Sequence, residues 1–540
     1  MERSHPDQLK NGHFDLVVIG GGITGAATAR DAALRGLSVV LVEKDDFAAG
    51  TSSRSSKLIH GGLRYLQTYQ FGLVAQSLRE RERMLTLAPH LTEVSPFLYL
   101  LYQGYPESQF ILNLGLTFYD LASGQWRKRR HRMLSAEQVL EREPHLRSAG
   151  LRGAGQYYDV LTDDARLTMD TVKGAAQAGA LMVNHTLVTG LVLESGVARG
   201  VRVVDQIHGE SYEIRARQVL NATGPWTDQV RHLESSETGA SLRPSKGVHI
   251  VLKKSDFPLN TPVFLRSPDD GRVVWPTPSL EEDVVYIGTT DTDYTGDIDH
   301  VSPDDHDIQY LLNVANHTIP DARLSERHVV GSWAGLRPLV ASEPGASTGS
   351  TSREHAISTG PAGMLTISGG KLTSSRVMAR HLVDAALTAD KRRAGRYLAG
   401  RTPLSGGATF DRRAYVAASA DAGVPQQVAR GWLRRYGCNA VEVLSRWQAD
   451  PDARIVIGPR GLSVAEIRYA VQVEMACTLA DLLVRRTSIF FWDAHGGLET
   501  IERISTVMAH ELGWDEQQRM SEVEAYSAHA LSHRPRAEPA

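Results

Sequence analysis

The chain has 540 residues, 42% hydrophobic and 22% charged, with a formal net charge of −3. That length exceeds what one core usually organises and implies two or three domains, while the near-neutral balance excludes a global attraction to nucleic acid. Its two cysteines, Cys438 and Cys477, are too few and too far apart for a disulfide framework, a CxxC redox pair or a metal site, so no metal is expected.

Residues 1–13 are polar and lack the apolar stretch of a secretion signal. No run reaches the roughly 18 apolar residues of a membrane span, which reads as a cytoplasmic protein. From Phe14 the pattern becomes specific. The apolar strand Phe14-Asp-Leu-Val-Val-Ile enters Gly20-Gly-Gly22-Ile23-Thr24-Gly25, and a helix rich in small residues follows (Ala26, Ala27, Ala29, Ala32, Ala33). Gly20 permits the tight turn, Gly22 leaves room for a pyrophosphate against bare backbone, and Gly25 lets helix and strand pack closely. The helix N-terminus offers free N–H groups to phosphate. A second strand, from Leu37, ends on Glu43, near the spacing of about 20 residues for a carboxylate that holds ribose hydroxyls. An acid there repels a 2′-phosphate, which disfavours NADP.

The next segment, Gly50 to Leu66, is dense in hydroxyls, glycines and bases. Its hydroxyls and backbone N–H groups continue the cradle along an extended cofactor, a length that suits FAD better than NAD. A single dinucleotide fingerprint and the absence of a close cysteine pair argue against the disulfide reductases.

The run Thr51-Ser-Ser-Arg-Ser-Ser-Lys57-Leu-Ile-His60-Gly-Gly-Leu-Arg64-Tyr65-Leu66 resembles the signature of the FAD-dependent glycerol-3-phosphate dehydrogenases, within the D-amino-acid-oxidase-like flavoproteins. Six further segments resemble family motifs in the same order: Asp163–Leu167, Asn221–Trp226, Lys246–His249, Ile287–Asp291, Gly335–Leu339 and Gly369–Thr373. The implied fold is α/β, with a Rossmann-type FAD-binding domain, an antiparallel-sheet substrate cap and a C-terminal helical domain. The FAD domain is expected to be discontinuous, over residues 14–94, 160–235 and 325–398. The cap takes residues 95–159 and 236–324, and the helical domain residues 399–540.

The resemblance places FAD against Gly20, Gly22, Ile23, Thr24, Gly25, Glu43 and Lys44, then Thr51, Ser52, Ser53, Ser56, Lys57, Leu58, His60, Gly61 and Gly62. It adds Val188, then Ala222, Thr223 and Gly224 at a strand end, and finally Gly370, Lys371, Leu372 and Thr373. The helix after Thr373 would turn its positive end to the flavin pyrimidine edge; read alone, this segment and Val219–Gly224 are equally plain strand-to-helix turns.

The implied reaction oxidises sn-glycerol-3-phosphate to dihydroxyacetone phosphate, with hydride passing from C2 to flavin N5. Arg337 and Arg353 match the family's phosphate ligands, a task for which the guanidinium fork is suited. Arg64 and Lys371 match positions flanking the reacting carbon. A histidine can take the hydroxyl proton near neutral pH, and among 20 histidines the family position selects His249. Tyr65 either orients substrate or packs, and Thr290 and Asp291 belong to the framework beside the site.

Helical periodicity takes over after about residue 399. Ser463-Val-Ala-Glu466 reads as a capping box opening one helix with Ile467, Val471, Met475, Leu479 and Leu482 on a face, Cys477 in its core. The polar tail from Ser532 reads as disordered. Earlier, the apolar run Phe110 to Ala122 followed by Trp126-Arg-Lys-Arg-Arg-His-Arg132 is either a core helix with a solvated basic loop or an interfacial anchor over residues 109–132. The resemblance favours the anchor: peripheral attachment to the inner face of the cell membrane, with quinone as electron acceptor; it also allows a homodimer. Alternatives are an oxidase that uses oxygen, a non-catalytic FAD-binding protein, and an amino-acid oxidase, the last disfavoured by the number of cations.

Overall fold

A computed structural model describes the chain except residues 2, 67–68, 126–127, 238, 280–281, 341–354 and 535–540. Arg353, Trp126 and Arg127 therefore lie outside the described residues.

Two large sheets organise the first 390 residues. The first has eight strands. Its parallel heart runs Leu365–Gly369, Ser211–Asn221, His13–Ile19, Val39–Val42 and Leu181–Val183 in spatial order. Val17, Val18, Val40 and Leu41 are wholly buried, as expected for a parallel sheet covered on both faces. The alanine-rich helix Ile23–Leu34 lies on one face, with Ala26, Ala29 and Ala32 inaccessible. Helices Asp164–Gln177 and Ser375–Ala389 pack against it. The opposite face is closed by the antiparallel strands Thr186–Glu194 and Val197–Asp205.

The second sheet has ten strands and is antiparallel except where Val263–Arg266 pairs with Thr92–Tyr102. Its central pair is Leu242–Lys253 against Val329–Val340. Residues 329–340, which the sequence assigned to the dinucleotide domain, thus run in the second sheet. They pair there because their apolar alternation is buried on both sides, Trp333, Ala334 and Leu336 all being inaccessible or nearly so. The two sheets meet where the loop 50–57 crosses this pair.

The C-terminal region is helical, with one departure from expectation. Ser463 Oγ caps its helix by accepting from Glu466 N, but that helix spans only Val464–Glu474. Met475 takes a left-handed conformation, φ 55°, and a separate π-helical turn covers Asp481–Arg486. The break is held electrostatically. The Glu474 carboxylate accepts from Arg166 at 2.6 and 2.8 Å and from Lys173 at 2.9 Å, while its carbonyl accepts from Arg486. Cys477 consequently sits in a connector, not in a helix core. Arg485 and Arg486 both reach Asp46, three residues after Glu43, so the helical region grips the end of the second dinucleotide-domain strand. The tail beyond Ser532 is packed as far as Arg534: Ser332 Oγ donates to His533 O at 2.6 Å and Arg534 reaches the carbonyls of Phe490 and Asp493.

Helix Gln109–Ser123 is amphipathic in an unusual sense. Leu112, Leu116 and Tyr119 are buried, yet Phe110, Ile111, Leu114 and Leu121 are 76%, 58%, 62% and 59% exposed. Tyr69 and Phe71 extend this apolar surface. Of the following basic stretch, His131 is not at the surface; it is buried between Asp120 and Asn113 at 2.7 and 2.9 Å. Among the described residues no helix is long and apolar enough to cross a membrane.

Candidate active site

Two cavities, of about 340 and 220 Å³, share Ile23, Thr51, Ser52, Pro338 and the turn Gly370–Leu372, so they form one continuous channel. The larger lies over the carboxyl ends of the parallel strands, where an α/β sheet offers helix N-termini to a ligand. Two of the fingerprint glycines have a steric reason within the chain itself. Gly20 has φ +107° and approaches Ala222, where a Cβ would stand 2.7 Å from the carbonyl oxygen. A Cβ on Gly25 would lie 1.9 Å from Gly20 O. Gly25 therefore permits the packing beneath the cavity without lining it.

Of the remaining residues expected at a cofactor, Gly20, Gly22, Ile23, Thr24, Glu43, Lys44, Thr51, Ser52, Val188, Ala222, Thr223, Gly224, Gly370, Lys371 and Leu372 line the larger cavity. Ser56, Leu58, His60, Gly62 and Thr373 line the smaller one. Three others do not face the channel. Ser53 is buried; Lys57 is buried against Asp164 at 2.6 Å and over the Phe491 ring; Gly61 is buried with its N–H donated to Tyr119 Oη at 2.8 Å. These three shape the loop. Trp226, the last residue of the Asn221–Trp226 motif though not read as a cofactor residue, also lines the larger cavity, as does Gln229, which nothing in the sequence marks. Trp226 closes on Gly50 and carries Lys44 over its ring at 4.5 Å.

Glu43 lines the larger cavity just after the strand Val39–Val42. Its carboxylate accepts from Gly21 N at 2.5 Å and Asp45 N at 2.9 Å. Burial, helped by the Asp45 charge, pushes its pKa up to about 7. Hydroxyl donors from a ribose would favour the ionised form. A bare glycine turn, a helix N-terminus and an acid aimed at one end of a long channel fit an adenine dinucleotide.

The smaller cavity sits on the face of the central pair of the second sheet. Register places Ser245 opposite Arg337, Gly247 opposite Gly335, and His249 opposite Trp333, so these six positions share one face. The glycines make the room. A Cβ on Gly247 would meet the Arg337 guanidinium at 2.5 Å, one on Gly335 would meet Arg54 Cβ at 2.9 Å, and one on Gly288, beside His249, would meet the imidazole at 2.0 Å. His249 lies flat on Trp333 with centroids 4.7 Å apart, and its Nε2 is 2.9 Å from Ser56 Oγ. Burial first, then the nearby charges of Arg337 and Lys57, hold its pKa well below the ordinary value.

Arg337 is anchored by Thr289 Oγ1 at 2.8 Å, Thr290 O at 3.2 Å, Asp291 Oδ1 at 3.2 Å and Ser245 Oγ at 3.4 Å. Arg64, Tyr65 and Lys371 line the same cavity, with Lys371 Nζ 4.8 Å from the Tyr65 ring centre. Thr290 and Asp291 thus hold Arg337 directly. The structure therefore gathers Arg64, Tyr65, His249, Arg337 and Lys371 around one space; Arg353 falls outside the described residues. Arg54, Arg272 and Trp275 line that space too, and the sequence offered only weak signals for them, one inside the Thr51–Leu66 run, one just before an ordinary strand and one within it.

Comparison with known proteins agrees with this architecture. Residues 15–385 match the family described as FAD dependent oxidoreductase, and residues 399–519 that described as the C-terminal domain of alpha-glycerophosphate oxidase. The chain is 38% identical over 522 residues to the aerobic glycerol-3-phosphate dehydrogenase of Bacillus subtilis (strain 168), across 95% of this chain and 93% of the relative. It is similar to the glycerol-3-phosphate dehydrogenase of Bacillus halodurans complexed with FAD, with a TM-score of 0.83 and 32% identity over 99% of this chain and 98% of that one. The L-alpha-glycerophosphate oxidase of Mycoplasma pneumoniae shares the fold, at TM-score 0.53 and 18% identity over 73% of this chain and 99% of that one.

Proposed function

We propose that this chain, which belongs to the family of FAD-dependent oxidoreductases, oxidises sn-glycerol-3-phosphate to dihydroxyacetone phosphate. The observation that carries the reading is the convergence of Arg64, Arg337 and Lys371 with a buried histidine on one cavity that opens into the dinucleotide cavity. FAD, when bound along the channel, supplies the acceptor for the hydride leaving C2. The chain's own residues do the rest. Arg337 binds the phosphate from a fixed position, its guanidinium already oriented by Thr289 and Asp291. Arg64 and Lys371 hold the hydroxyl end and stabilise negative charge as it develops on the C2 oxygen. His249 is neutral in this environment and takes the hydroxyl proton, oriented by Trp333 and Ser56. The seating of an anionic substrate against Arg337 offsets the positive surroundings that otherwise disfavour a protonated imidazole.

The reduced enzyme passes its electrons to a quinone at a membrane surface. Supporting this is the exposed apolar face of Gln109–Ser123, followed by Lys128, Arg129, Arg130 and Arg132, the composition of an interfacial anchor. Tyr119, on the buried side of that helix, donates to Asp159 at 2.7 Å and accepts from Gly61 N, so the surface helix and the flavin loop are mechanically joined.

Anaerobic addition of sn-glycerol-3-phosphate to the purified yellow protein tests the reading. Bleaching by the phosphate ester and not by glycerol is expected, with rapid recovery on adding quinone. Equally rapid recovery in air would make the protein an oxidase. No bleaching would remove the substrate assignment.

A further inference from the structure

Arg337 faces an electrostatic difficulty as the principal phosphate ligand. Its two terminal nitrogens donate to four protein oxygens, one of them the Asp291 carboxylate. Together Arg337 and Asp291 carry little net charge. A phosphate dianion seated on this pair alone would lie roughly 3 to 5 Å from a carboxylate, close enough for the two negative charges to repel strongly. A further cation beside this pair would favour a dianion at this end of the cavity.

Arg272 is such a cation. It lines the same cavity and opens the strand Val273–Pro278, at the end of a turn built by Asp270. Its Nη1 donates to the backbone carbonyl of Asp291, and its Nε lies 3.2 Å from the Asp270 carboxylate. Asp291 therefore holds one guanidinium on its carboxylate and the other on its carbonyl. Among the described residues Arg272 Nη2 makes no hydrogen bond, and the side chain is 45% exposed. A guanidinium fixed at two nitrogens, open at the third and set at a cavity rim is arranged to complete the coordination of an anion arriving from solvent.

We propose that Arg272 is a second phosphate-binding residue, closing over the phosphate of the substrate from the cavity rim while Arg337 holds it from the floor. This rests on the reading of the cavity as a site for sn-glycerol-3-phosphate. It makes Arg272 a determinant of specificity: it contributes to phosphate esters and nothing to uncharged polyols.

The test uses the FAD-loaded enzyme with Arg272→Gln and Arg272→Lys. Arg272→Gln is expected to raise KM for sn-glycerol-3-phosphate about 10- to 100-fold, the usual range for one charge-assisted hydrogen bond to a substrate. Its kcat and flavin content should stay at wild-type values, and Arg272→Lys should recover part of the loss. Inorganic phosphate, titrated against the fluorescence of the bound flavin without turnover, should weaken by a similar factor. Unchanged KM and unchanged phosphate affinity in Arg272→Gln would overturn the proposal, as would a loss confined to kcat. If the wild-type protein failed to oxidise sn-glycerol-3-phosphate, the substrate reading would fall, and the inorganic phosphate titration would still decide whether Arg272 binds an anion.

Discussion

The two ends of the channel are built by opposite means. At the dinucleotide end the ligand surface is mostly main chain: glycines that a Cβ would block, a helix N-terminus, and one acid pinned by backbone N–H groups. At the substrate end it is almost entirely side chains, carried on a sheet face and held by buried partners from other strands. A backbone site fails sterically and all at once. A side-chain site fails one interaction at a time, with the scaffold and the cofactor left in place.

Gly25→Ala probes the first kind most severely. The new Cβ would sit 1.9 Å from Gly20 O, and only movement of helix Ile23–Leu34 away from its strand could relieve the overlap. Destabilisation of about 3 kcal/mol or more is expected, with loss of bound flavin. Flavin absorbance per polypeptide and the yield of folded protein measure it directly. Retention of full flavin with normal activity would show that the glycine turn is tolerant and would break the contrast.

His249→Gln tests the opposite limit. The variant should keep its flavin and its fold, while kcat falls by about 10²- to 10⁴-fold, the range for removing a general base. His60→Gln is the informative control, since His60 lines the same cavity but belongs to the cofactor loop. Its loss should fall on flavin binding. If the kcat loss appeared at His60 and not at His249, the proton acceptor would have to be reassigned.

Arg337→Ala stands next in size. It removes the phosphate contact and leaves Asp291, 7% exposed, without that cation. A loss of about 30- to 1000-fold in kcat/KM is expected, the cost of truncating one partner of a buried charge pair. It should be carried mainly by KM, with flavin still bound. A variant that lost its flavin instead would move Arg337 out of the substrate site.

The same contrast explains what could be read in advance. Main-chain sites leave local signatures, because a turn that needs Gly20, Gly22 and Gly25 needs them at fixed spacing. The parallel heart of the first sheet was legible for that reason, and most of the residues expected at a cofactor line the channel. Side-chain sites depend on register, which the sequence does not print. That Gly247, Gly288 and Gly335 together clear space for His249 and Arg337 follows only from strand pairing. Lys57 and Ser53 look like cofactor ligands inside the motif, yet Lys57 is turned to Asp164 and Ser53 is buried. The expected single helix through Leu482 failed for a related reason. Its apolar spacing is continuous, and only the tertiary partners Arg166, Lys173 and Arg486 reveal why the chain breaks at Met475.

The C-terminal region supplies a third and weaker test, since its described residues grip the first sheet and line neither cavity. His533 is buried between helix Glu516–Leu531 and the second sheet, where burial first, then the Arg54 charge, depresses its pKa to about 4. Its unfolded value is near 6.5. Between those two values the unfolded chain binds more protons than the native one, so this group lowers stability as pH falls through that window and is neutral in effect above it. His185 acts in the opposite sense, its pKa being raised, against the cost of burial, by Asp481. His533→Gln should therefore flatten the acid side of the stability profile between about pH 6.5 and 4, with Tm near neutral pH little changed. Melting curves of both proteins across that range read the difference. An unaltered acid limb would mean that the contact between His533 and Ser332 opens before the imidazole titrates, and that the helical region holds on through its other contacts, those of Asp46 and Glu474 among them.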